Sequence, residues 1–413
     1  MVMRRSEFFV SAGGLAAALS CVASAAHAQE GGLRPLGGLS RYVHGGVSSS
    51  VTYDPNSGRG SDAVTSARGL QKQEVTYTVT GDLDASLPVA GFNTFLAGSV
   101  GYQGHSRNSK LDSETVSLAG GVSRRFVSCS VSTGLSWNRG QTQLEQIDLS
   151  YTTNTAQSVG VNAAVQCAPV AGINVGVAGG ASRSSNSSNA AVSSRSYNVS
   201  GNVGYGNRAL GTISTFIAYS RLDYPDNPLT PTLTSSTGVN SVNMGVQYSR
   251  PLGRKLSGSA SVGYVITKPE GPLATKSNDI SANVSFNYRP TDRITSSFSY
   301  IRNVSATNIV GSSYTVGDTM SATVSFRFLR GVSTSVRASQ SIRDYRGGTV
   351  TTGPLPATRF TKDKNRSLTG SIGFSPTRNT SLSGNVTYDE RTSNLSTFDY
   401  NSVRTSLSFT AAF

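Results

Sequence analysis

Ile280-Ser281-Ala282-Asn283-Val284-Ser285-Phe286-Asn287-Tyr288 decides the fold. Every even position is apolar or small and every odd one is a short polar residue. Successive side chains of a strand point to opposite faces, so this stretch has one greasy wall and one hydrophilic wall. The same pattern returns in Leu256–Tyr264, in Met320–Phe328, in Leu368–Phe374, in Leu382–Tyr388 and in Val403–Phe413.

A soluble sandwich would also alternate, so three further features are needed to separate the possibilities. The segments run for about 11–14 residues, the length of a tilted strand crossing a bilayer and longer than the usual soluble strand. Tyr205, Tyr248, Tyr288, Phe328 and Phe374 sit on the apolar face beside short turns, as an interfacial girdle would. Short connections (251–254, 290–293, 329–331, 376–379) alternate with long ones (54–70, 139–155, 224–237, 267–276, 346–363). The turns near 251, 290, 330 and 376 recur every 39, 40 and 46 residues. Propeller blades recur at a similar interval, but each needs four short strands where this chain has two long ones. The reading is therefore all-β: a single antiparallel up-and-down transmembrane barrel over 41–413, with short periplasmic turns and longer external loops. The segments count to 18 strands, with 16 as the alternative, and an even count puts both ends on one side.

Composition agrees. Charged residues make up 14% of the 413-residue chain and hydrophobic ones 37%. That is too little net charge for a disordered chain and too little charge altogether for a soluble helical enzyme. Residues 1–28 read as a cleaved signal peptide: Arg4 and Arg5, an apolar run to Ala26, and the small-residue site Ala26-His27-Ala28. A lipoprotein reading of Cys21 fits poorly, because Ala18-Leu19-Ser20 is a weak lipobox. Residues 29–40 are expected to form a short periplasmic segment. Removing 1–28 takes away two positive charges and one negative, so the formal charge falls from +14 to +13. Cys129 and Cys167 are then the two cysteines that remain. Both share the apolar parity of their strands and both lie at the turn end, so a disulfide is possible if the register holds.

Catalytic signatures are missing. His105 and Ser106 are adjacent, and adjacent strand residues point apart. Metal-ligand clusters, phosphate loops and nucleophile elbows do not occur, so neither a metal nor another cofactor is expected. Basic residues are dispersed, which argues against nucleic acid as a partner. Some fall on the hydrophilic parity: Arg327, Arg337, Arg343, Arg391 and Arg404, with Asp279 and Asp389 as counter-charges. In a barrel these face the lumen, where rings of Arg favour anions. Pairing with carboxylates such as Asp344 or Glu390 would instead make them braces.

The signal sequence, the hairpin repeats and the terminal Leu407-Ser408-Phe409-Thr410-Ala411-Ala412-Phe413 together resemble Gram-negative outer-membrane β-barrels. The Arg/Pro turn repeats resemble, more narrowly, the putative β-barrel porin 2 family. The first resemblance implies an outer-membrane location, contact with its lipid, and recognition of Phe413 by the barrel-assembly machinery. The second implies a passive conduit for exopolysaccharide export, working with a separate periplasmic export protein. A diffusion porin for small or anionic solutes, and a structural or adhesion barrel with partner-binding loops, are the alternatives; an enzyme is not expected.

Overall fold

The computed structural model describes residues 41–141, 154–168, 172–187, 193–207, 209–225, 238–253, 255–270, 276–306, 314–346, 361–394 and 396–413. The expected signal peptide, the 29–40 segment and the turn residue Arg254 lie outside them. Eighteen strands form one sheet. The first six are β1 (Tyr42–Asp54), β2 (Glu74–Val89), β3 (Phe92–His105), β4 (Ser113–Arg125), β5 (Cys129–Gln141) and β6 (Thr155–Cys167). Next come β7 (Ile173–Asn186), β8 (Ser194–Asn207), β9 (Gly211–Asp223), β10 (Gly238–Leu252), β11 (Leu256–Glu270) and β12 (Ser277–Thr291). The last are β13 (Ile294–Ala306), β14 (Tyr314–Leu329), β15 (Val332–Arg346), β16 (Lys362–Phe374), β17 (Thr380–Ser393) and β18 (Tyr400–Ala412).

Each strand pairs antiparallel with the next, and β1 pairs with β18 from Gly46↔Ala412 to Tyr53↔Thr405. The sheet is thus closed. Turns are short where the chain supplies unusual backbone: Ala90 and Gly91, both with positive φ, join β2 to β3, and Gly331 (φ +87°) joins β14 to β15. Positive φ at such positions matches the twist of the flanking strands. Strands overrun several of the expected connections: Pro251 and Leu252 still pair in β10, β11 reaches Glu270, β12 reaches Thr291, and β5 reaches Gln141.

The register sorts the faces as alternation requires. Ala260 stands opposite Val284 and Val262 opposite Ala282 on one face; Ser259 stands opposite Ser285 on the other. The outer face carries exposed large apolar side chains all round, Val262 at 58% and Ile280 at 55% among them. In water that belt would be an aggregating surface; in a bilayer it is solvated. Aromatic residues bracket it: Tyr205, Tyr248, Tyr288, Phe328 and Phe374 at the turn end, and Tyr197, Tyr219, Tyr264, Tyr300 and Tyr388 at the loop end. Strands of 13–16 residues exceed the roughly 9–11 needed to cross hydrocarbon. The surplus extends past the loop-end tyrosines, where the outer face turns charged.

Cys129 and Cys167 stand opposite each other at the turn end of β5 and β6 and form a disulfide. The C-terminal residue is tied to the first strand. Phe413 N–H donates to Gly45 O at 2.9 Å, and Gly45 N–H donates to Phe413 O at 3.0 Å. Phe413 stays 76% exposed at the lipid edge, its ring lying over Gly45. Deleting Phe413 removes both bonds at the closing seam along with the exposed ring. Folded, heat-modifiable barrel recovered from membranes should fall severalfold; unchanged yield would remove the terminal residue from the assembly account.

Candidate functional site

The lumen wall is made of short hydroxyl and amide side chains because the inward parity of almost every strand is Ser, Thr, Asn or Gly. These groups bond to each other across neighbouring strands: Ser259–Ser285, Ser299–Ser321, Ser335–Ser371, Thr369–Thr387 and Ser383–Ser408. Each keeps a further donor or acceptor site open to the lumen.

Two elements intrude at the loop end. The β1–β2 connection carries a short helix, α1 (Asp62–Ala67), and folds against the β3–β4 connection. There Gln71 N–H donates to Asn108 Oδ1 (2.6 Å), Asn108 Nδ2 donates to Gln71 O (2.9 Å), and Glu74 accepts from Ser106 Oγ and from the Arg107 and Asn108 N–H groups. The same connection sends Arg59 into the barrel. Arg59 Nη2 meets Asp54 Oδ2 at 2.8 Å, Nη1 lies 3.8 Å from Asp389 Oδ2, and the guanidinium covers the Tyr400 ring at 5.5 Å.

The second intrusion is the tip of the β13–β14 hairpin. β11–β12 pairing continues to Thr267↔Ser277 and β13–β14 pairing to Ala306↔Tyr314, but the β12–β13 ladder ends at Ala282↔Arg302. Above that break Val304, Val316 and Tyr314 pack against Val265, which belongs to the inner face of β11. Arg302 and Arg346, on the outer parity of their strands, reach the inner-parity carboxylate of Asp279 at 3.5 and 3.2 Å. The outer face of the tip therefore rests on the inner face of β11–β12, and the hairpin leans over the mouth.

This geometry divides the candidate lumen charges. Arg391 is 5% exposed and forms a two-pronged pair with Asp363, itself 1% exposed (2.9 and 3.2 Å), under the Phe398 ring. Arg404 is paired with Asp389, which Arg59 also approaches. Asp279 is taken up by the leaning tip. Arg327 sits at the turn end, its N–H donating to Arg293 O. Arg343 lies beside Tyr345 on the lumen wall. Arg337 stands exposed between Thr323 and Thr369, with no ion pair among the described residues.

The brace carboxylates differ from those expected. Asp344 pairs with Arg346 and Glu390 with Arg366, because alternation puts both acids on the outer face; the lumen arginines use Asp363 and Asp389 instead. Besides Asp363 and Arg59, three further lumen groups escaped the sequence reading. Asp82 and Asp84 occupy the inner parity of β2, exposed and without an ion pair among the described residues. Their signal was the alternation Gly81, Leu83, Ala85 around them. Phe216 lies on the inner wall over Gly245 and Gly263, where any Cβ would collide with its ring. It breaks the parity of Ile213, Ile217 and Tyr219, and that break was its signal. Ser106 and His105 do not meet: Ser106 Oγ donates to Glu74 (2.8 Å), while His105 faces Asp112 (3.3 Å).

Two outcomes follow. Arg391→Ala strands the buried Asp363 carboxylate, which should cost about 3–5 kcal/mol and lower the thermal unfolding temperature, whereas the part-exposed Arg404→Ser should cost about 1 kcal/mol or less. Selectivity should rest on the groups with no ion pair in the described wall. The wild-type reversal potential in a salt gradient should show mild anion preference, weakened by Arg337→Ser with Arg343→Ser and strengthened by Asp82→Asn with Asp84→Asn. Both effects should shrink as salt rises, with a Debye length of about 10 Å at 0.1 M. Unchanged potentials in both pairs would remove these side chains from the conduction path.

Residues 213–413, from β9 to the C-terminus, match the model of the family described as "Putative beta-barrel porin 2". No curated protein matches the chain. Among solved structures it is similar to Pseudomonas aeruginosa OccK2 (OpdF), at 12% identity and TM-score 0.49 over 90% of this chain and 98% of that one. It is similar to Pseudomonas aeruginosa OpdQ with the same identity and TM-score, over 90% and 99%. The alcaligin receptor FauA of Bordetella pertussis aligns at 11% identity and TM-score 0.45, over 92% and 77%. The chain is a closed 18-stranded β-barrel of outer-membrane type, and its C-terminal half resembles that porin family.

Proposed function

We propose that this barrel is a passive, water-filled conduit for hydroxyl-rich solutes, chiefly small neutral and anionic ones of carbohydrate type. A sheet of 18 strands encloses more space than its short inner side chains fill. The observation that carries the reading is the chemistry of that wall. Paired Ser and Thr hydroxyls run across β11–β18, with few unpaired charges between them. Such a surface exchanges hydrogen bonds with water or a sugar at nearly equal energy, so a solute is wetted without being trapped. The leaning β13–β14 tip and the Arg59 segment would set the size limit at the outer mouth.

A second reading, exit of an exopolysaccharide strand, draws on the same wall. A glycan chain needs an unbroken track of weak donors and acceptors, and the hydroxyl pairs lie on eight adjacent strands. That reading requires a separate periplasmic export protein to deliver the chain.

Liposome swelling separates these readings from a structural or adhesion barrel. Proteoliposomes of the full chain should swell in neutral mono- and disaccharides, at rates that fall steeply with solute size. Absence of both swelling and planar-bilayer conductance would refute the conduit. A linear neutral glucan added on the turn side should block the current in discrete events and cross to the other chamber if a strand can pass. Uptake of small sugars without such crossing would leave diffusion alone.

A further inference from the structure

Past the loop-end tyrosines the outer rim carries many charges, and several of its arginines have an acid. Arg366 meets Glu390 at 3.4 Å, and Arg221 meets Asp223 at 2.8 Å and Glu270 at 3.6 Å. The β7–β8 pair is different. Arg183 and Arg195 stand directly opposite each other in register, on the outer face, both exposed. Neither has an ion pair among the described residues. Asp223, opposite Arg195 on β9, is held by Arg221 instead. Arg139 on β5, also outward and exposed, adds a third unpaired guanidinium on the same side of the barrel.

Like charges directly opposite on one face of an antiparallel pair repel, with Cβ atoms only about 5 Å apart. The arrangement is unfavourable alone and favourable around an anion. Its depth narrows the anion. Tyr197 lies two residues from Arg195 on the same face, at the edge of the apolar belt, so the guanidiniums sit at headgroup level of the leaflet on the loop side. A guanidinium fork matches two oxygens of a phosphate, and two opposed forks can grip one phosphate from both sides. We infer that Arg183 and Arg195 form an outward-facing site for a phosphate monoester of an outer-leaflet glycolipid, with Arg139 steering it electrostatically; the choline-capped phosphodiester of a zwitterionic lipid does not match it. The acyl chains of that lipid would cover Val177, Val199 and Val203, which are exposed by 55–58% on the belt below.

The full-length barrel, in nanodiscs of phosphatidylcholine with or without diphosphorylated lipid A, provides the test. Wild type should retain the phosphorylated lipid through delipidation, counted by mass spectrometry, and R183S/R195S should retain about tenfold less, as loss of a charge-assisted contact implies. R183K/R195K, which keeps the charge and loses the two-oxygen fork, should retain an intermediate amount, and R250S, an outward arginine at the opposite rim, should match wild type. A second readout needs only a single variant. R195S relieves the repulsion, so in phosphatidylcholine alone it should unfold at a temperature equal to or above wild type. In lipid A discs it should unfold below wild type. Equal retention by wild type and R183S/R195S, equal retention of dephosphorylated lipid A, or a shift of the same sign in both discs would overturn the site.

Discussion

Inside a hydrocarbon layer a backbone N–H or C=O without a partner costs several kcal/mol, and water is absent to supply one. Everything else in this molecule depends on meeting that constraint. The β1–β18 ladder meets it by closing the sheet, so no strand presents an edge to lipid. Closure then fixes the meaning of parity: one face of every strand must suit lipid and the other must suit whatever fills the interior. A soluble sheet with the same alternation could bury its apolar face in a core. Here that face is exposed all round, and the interior wall is made of hydroxyls and amides.

The sequence was most readable where that constraint acts, between the aromatic girdles. Facing came from period two, because a slip of one residue would turn Val284 into the lumen and Asn283 into lipid, while strand count and direction came from the alternation of short turns and long loops. Readability ended where strands outgrow the bilayer. Asp279 has lumen parity, yet its partners Arg302 and Arg346 come from the outer faces of β13 and β15, because the hairpin tip leans inward. No local pattern encodes such a lean; it depends on where Val304 and Val316 find apolar cover, which is Val265 on another strand. The Arg391–Asp363 pair was hidden for a related reason. Its partners are 28 residues apart in sequence and meet only through the β16–β17 register.

The same division separates construction from function. Charges above the girdle are mostly paired and hold the mouth together: Arg59 binds the first connection to β17 and β18 through Asp54, Asp389 and Tyr400. On the lumen wall, Asp82, Asp84 and Arg337 have no ion pair among the described residues and lie lower, open to the interior. Nothing in the residue types separates the two groups. Only register tells which carboxylate has a guanidinium within reach.

The central claim is that alternation separates lipid from water through the whole belt. Nitroxide labels at successive positions of β11 and β12, from Ser257 to Tyr264 and from Ile280 to Asn287, test it in folded protein within bilayers. Even-numbered sites such as Ala260 and Val284 should be relaxed by lipid-dissolved oxygen, and odd-numbered sites such as Ser259 and Asn283 by a water-soluble nickel or chromium complex. The two accessibilities should oscillate out of phase with a period of two residues. Oscillation in the opposite phase, or oxygen access at every site, would contradict a barrel with an aqueous interior.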